Sequence, residues 1–164
     1  MTADEFIAAL AGLQGKKKLP AGVRRRRKAL FAHPDDPVLE LLARYEVAGL
    51  EFWQLKFSAK TASEIDGVWH VATKATDDYY VEGGRLLKMY YKEDYPAETG
   101  LTSGQFLEVI VVYARLIAAM ANSTLGMNDP LIAEHAGHAV AISPKAAGLD
   151  WFEESWRRRA AGNL

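Results

Sequence analysis

Cysteine is absent from this chain of 164 residues. That excludes a disulfide framework, a thiolate zinc site and a thiol nucleophile, and it fits a reducing compartment. An excess of one charge is lacking as well. The 20 Lys and Arg residues meet 21 Asp and Glu residues, for a net charge of -1, so general attraction to nucleic acid has little support. No apolar run reaches the roughly 20 residues that a spanning helix needs. The longest, FLEVIVVYARLIAAMA from Phe106 to Ala121, contains Glu108 and Arg115 and reads as a central buried helix. The first residues, MTADEFIAALAGL, carry two acids where a secretory signal carries bases. No signal peptide is expected, and the expected location is cytoplasmic.

What is present is the balance of a globular protein, with 49% hydrophobic and 25% charged residues. Phe6, Ile7, Leu10 and Leu13 recur at helical spacing behind Thr2, a candidate N-cap. Arg24 to Lys28 read as a helical run of cations, and PVLELLARYEVAG as a helix closed by Gly49. From Leu50 the period shortens to two: EFWQLKFS, GVWHVATK and DYYVEGGRLLKMYYK read as strands. Gly83-Gly84 would form a tight hairpin turn, pairing Glu82 with Arg85, Val81 with Leu86 and Tyr80 with Leu87. After EDYPAETG the helical period returns, with Thr102 and Gln105 spaced as a capping box. NDPLIAEHAGHAV and GLDWFEESWRRRAAG read as two further helices. The expected fold is a single α+β domain: a helical N-terminal region over 1–49, an antiparallel meander over 50–92 and a helical C-terminal region over 102–162. A small sheet of about four strands would pack against several helices.

Two strings carry possible chemistry. AHPDD, ending at Asp36, and HAGH, residues 135 to 138, resemble the zinc-dependent N-acetylglucosamine deacetylases of the PIG-L type. The resemblance implies His33 and Asp36 as ligands, Asp35 as general base and His135 or His138 as the third ligand. The surroundings differ from that family, because RRRRKALFA stands where a buried strand should precede the histidine, and Pro37 replaces the glutamate. Asp36-Pro37 also reads as an ordinary helix start, an N-cap followed by proline, and Asn128-Asp129-Pro130 repeats it. That reading accounts for more of the residues and requires no metal.

Elsewhere no serine-histidine-acid order, phosphate loop or dinucleotide fingerprint is read. Arg24 to Lys28 keep open a small nucleic-acid-binding regulator. Tyr79 and Tyr80, flanked by Asp77, Asp78, Glu93 and Asp94, outline an aromatic surface with an acidic rim. Such a surface suits a basic protein partner. The order of meander, then the helix TSGQFLEVIVVYARL, resembles the SUKH superfamily over residues 50 to 117. That resemblance implies a bacterial immunity protein, a cytoplasmic binding protein without catalysis that neutralises a cognate toxin by occupying its active site. No cofactor is expected, and the expected state is a monomer or homodimer.

Overall fold

The computed structural model describes residues 1–58, 64–121 and 130–152. Helix α1 (Ala3–Leu13) begins with a complete capping box, in which Thr2 and Glu5 exchange side-chain and backbone bonds. Its apolar stripe of Phe6, Ile7 and Leu10 is buried. The basic run is not helical. Arg24–Arg25 form β1, a short strand antiparallel to β2 (Tyr45–Glu46). Helix α2 (Pro37–Arg44) accordingly ends before Tyr45 rather than at Gly49. Gly49 instead lies against Gly22, where a Cβ would come within 3.0 Å of the Gly22 carbonyl oxygen.

Among the described residues the main sheet is antiparallel and larger than expected, with seven strands instead of about four. They are β3 (Glu51–Phe52), β4 (Leu55–Phe57), β5 (Glu64–Ile65), β6 (Val68–Lys74), β7 (Asp77–Glu82), β8 (Arg85–Met89) and β9 (Ala97–Thr102). The order is β3-β4-β6-β7-β8-β9, with β5 paired to β6. Some of the difference comes from one expected strand that folds back on itself. Trp53 and Gln54 take φ of 41° and 67° and turn EFWQLKF into a hairpin. Two non-glycine residues in the left-handed region cost about 1–2 kcal/mol each. Packing offsets this: Phe52 and Leu55 become partners, both buried, and Trp53 meets the Tyr113 ring edge-on at 6.4 Å. The segment after EDYP, outside the expected meander of 50–92, supplies β9.

The Gly83-Gly84 hairpin has the expected register, Glu82 to Arg85, Val81 to Leu86 and Tyr80 to Leu87. Both glycines have positive φ, at 55° and 77°, as the tight turn requires. On β7, Tyr79 and Val81 enter the core while Asp78, Tyr80 and Glu82 take the other face. Helix α3 (Ser103–Ala121) follows β9 directly. Thr102 accepts from the Gln105 N–H and Gln105 accepts from the Thr102 N–H, the expected capping box. Most of α3 is buried among α1, α2, the sheet and α4 (Pro130–Ile142). Its one acid, Glu108, pairs with the amino terminus at 2.9 Å. A short 3-10 helix, Pro144–Leu149, leads to buried Trp151 and Phe152. Residues from the N-terminal helices, the sheet and the C-terminal helices share one apolar core. Asn128 and Asp129, and most of the expected last helix, lie outside the described residues.

Candidate functional site

Asp36 answers the question raised by AHPDD. One of its carboxylate oxygens accepts from the Val38 and Leu39 N–H groups at 2.9 and 3.0 Å, and the other accepts from the Ser103 hydroxyl. Both oxygens are therefore committed to holding α2 and to tying it to α3. His33 donates to the Pro34 carbonyl oxygen, and Asp35 is exposed. On α4, His135 donates to the Leu131 carbonyl oxygen, with the His138 ring 5.9 Å away. Among the described residues, no group of three or more His, Cys, Asp or Glu side chains is placed to hold a metal ion. The structure does not assemble the ligand set implied by the deacetylase resemblance.

The aromatic and acidic surface needs correction at three positions. Tyr79 is fully buried, stacked on Phe106 at 5.5 Å, and its hydroxyl accepts from the Trp151 indole N–H at 2.8 Å. It is a core residue and cannot be a surface contact. Asp77 is no free rim charge, because it pairs at 3.0 Å with the buried ammonium of Lys88. Asp78 bonds to His70 Nε2 at 3.0 Å. Tyr80 does lie on the outer face, half-buried, with its ring 5.2 Å from that of His70. Burial first, then the Asp78 charge, pushes its hydroxyl pKa up.

Among the described residues, the exposed large aromatics are in the β8–β9 loop. Tyr90, Tyr91 and Tyr95 are 41%, 66% and 83% exposed, with Glu93 and Asp94 between them on the surface. A turn orders the start of this loop: the Glu93 N–H donates to the Tyr90 carbonyl at 3.0 Å, and Lys92 takes φ of 71°. Lys88 and Lys92 lie over the rings of Tyr90 and Tyr91, at 4.1 and 5.2 Å. The loop thus offers exposed aromatic area with acids beside it. Composition alone could have pointed to it, since YYKEDYP has three tyrosines in seven residues.

A further constellation was not read from the sequence. Ser58, just after β4, has its hydroxyl 2.8 Å from His70 Nδ1, and His70 Nε2 meets Asp78 as described. The serine-histidine-acid order is therefore present, built across three adjacent strands. Ser58 also lines a cavity of about 230 Å³. Arg26, Leu30, Phe31, Leu42 and Tyr45 to Ala48 complete its described wall. Arg26 bonds Glu46 through Nη1 at 3.1 Å, and among the described residues its buried Nε has no hydrogen-bond partner. The rest of the basic run, Arg24, Arg25, Arg27 and Lys28, is exposed, Arg25 lying 4.0 Å from Asp4.

No family model, curated protein or solved structure matches the chain.

Proposed function

We propose that the protein is a binding module for another protein, and specifically an immunity protein that neutralises a cognate bacterial toxin by occupying it in the cytoplasm. The observation that carries the binding reading is the β8–β9 loop, which exposes Tyr90, Tyr91 and Tyr95 around Glu93 and Asp94. Tyrosine supplies large contact area at little entropic cost, and hot spots of interfaces are enriched in it. A loop already held by a turn loses less freedom on binding. The net negative charge of Lys92, Glu93 and Asp94 favours a partner with a basic face. The toxin role rests on the SUKH resemblance of residues 50 to 117 and is the more specific element of the proposal.

The test is co-expression with the product of the adjacent gene, followed by pull-down and growth rescue. Capture and rescue by the parent chain, both weakened when Tyr91 and Tyr95 are changed to alanine, are the expected results. No rescue by the parent would reject the immunity role. Undiminished capture by the folded double variant would reject the loop as the contact surface.

A further inference from the structure

We propose that Ser58 is a nucleophile, activated by His70 and oriented by Asp78, for acyl transfer from a small uncharged carboxylic ester bound in the cavity beside Arg26. This inference is independent of the binding reading, and the exposed tyrosines of the β8–β9 loop do not line the cavity.

The hydrogen-bond chain assigns the roles. An ionised carboxylate only accepts, so the His70 nitrogen that faces Asp78, Nε2, must carry a proton. In the neutral ring Nδ1 then keeps its lone pair, and Nδ1 is the atom 2.8 Å from the Ser58 hydroxyl. That is the geometry of a general base on a serine, with a third group holding the tautomer. Which ring nitrogen takes which role is immaterial to the proton transfer. The same hydroxyl lies 3.3 Å from the His70 carbonyl oxygen, a longer alternative acceptor. The three residues are held by the sheet itself: Ser58 donates its N–H to Val71, and His70 and Asp78 lie on adjacent strands.

The cavity identifies the ligand class. Leu30, Phe31, Leu42, Val47 and Ala48 give it apolar wall, while Arg26 and Glu46 neutralise each other. A cavity of about 150 Å³ is enough for benzene, so about 230 Å³ accommodates a short acyl chain or a single ring.

The reaction balances without a further reagent. Ser58 Oγ bonds to the carbonyl carbon as its proton passes to His70 Nδ1, and the π pair moves onto the carbonyl oxygen. When that pair returns, the bond to the alcohol oxygen breaks, and the departing alkoxide takes the proton from Nδ1. Acyl-serine and alcohol result. Water then attacks the acyl group with Nδ1 as base, releasing the carboxylic acid and restoring Ser58.

The experiment treats the purified full chain with an alkyl fluorophosphonate and follows intact mass, peptide mapping and hydrolysis of p-nitrophenyl butyrate. One adduct on Ser58 is expected. S58A should lose both labelling and hydrolysis, while H70Q and D78N should slow labelling by at least about 100-fold. Absence of an adduct, an adduct elsewhere, or Ser58 labelling that H70Q and D78N leave unchanged would overturn the proposal. Mapping the adduct on the parent needs no variant, so a variant that fails to fold does not shelter the idea. Toxin capture and rescue should be unaffected in S58A, so failure of this proposal and failure of the immunity role are separable.

Discussion

Ser103, the first residue of α3, donates its hydroxyl to the carboxylate of Asp36, the N-cap of α2, across 67 positions of sequence. The Ser103 hydroxyl also lies 3.1 Å from the Gly84 carbonyl oxygen, at the hairpin turn of the sheet. One buried carboxylate therefore starts a helix and anchors it to the central helix beside the sheet. That is a structural occupation for the residue which the deacetylase resemblance would assign to a metal.

Asp36→Ala removes the acceptor of two backbone N–H groups and of a buried hydroxyl. An exposed cap is worth about 1 kcal/mol. Here the loss should reach about 2–3 kcal/mol, because the abandoned donors are buried. Asp36→Asn keeps an oxygen for the cap and should cost less than half as much. Urea denaturation monitored by circular dichroism measures both, and an alanine variant as stable as the parent would remove the anchoring role.

Asp77→Ala should destabilise the fold by about 3 kcal/mol, since it leaves the Lys88 ammonium buried without its carboxylate. The ring of Tyr90, 4.1 Å away, offsets only a fraction of that. Adding Lys88→Met should restore much of the loss by withdrawing the unpaired charge. Double-mutant stability measurements decide the matter. Equal stability of the single and double variants would mean that Lys88 does not depend on Asp77.

Tyr79→Phe should cost about 1–3 kcal/mol by leaving the buried Trp151 N–H without its acceptor. A folded Tyr79→Phe variant should still capture the partner as well as the parent does. The measurement pairs thermal unfolding with pull-down. Loss of capture without loss of stability would return Tyr79 to the interface.

Changing Tyr91 and Tyr95 together to alanine should weaken partner binding by about 2 kcal/mol or more. Both are mostly exposed, so the melting temperature should scarcely move. Calorimetric titration with the captured partner provides the number. An affinity within a factor of two of the parent would contradict their role as anchors.

Alkaline pH should loosen the fold through Tyr45 and Tyr80. Both hydroxyl pKa values are raised: that of Tyr45 first by burial and then by its bond to Asp4, that of Tyr80 first by burial and then by the Asp78 charge. A raised folded-state pKa means that the neutral ring is favoured by folding. The stabilisation is complete below the unfolded value of about 10 and is lost as pH rises through the raised folded value. Denaturation midpoints taken across that range should fall. The fall should be shallower in the Tyr45→Phe, Tyr80→Phe variant, and an identical slope there would disprove the assignment.

Local grammar was legible in the sequence alone. Thr2 with Glu5, Asp36 with Pro37 and Thr102 with Gln105 start helices because side chains a few positions apart can satisfy backbone N–H groups. Gly83-Gly84 set the hairpin register because few residues tolerate their positive φ. The Trp53-Gln54 turn carried no such signal, as neither residue favours that conformation and only packing of Phe52, Leu55 and Trp53 makes it affordable. Alternation showed that Tyr79 and Tyr80 lie on opposite faces of β7. It could not show which face a helix covers, and α3 with Trp151 decided that by burying Tyr79. The same limit hid Ser58, His70 and Asp78, and the pairing of Asp77 with Lys88. Spacing along one strand does not state which neighbour each strand takes, and those contacts exist only where the sheet sets separate strands side by side.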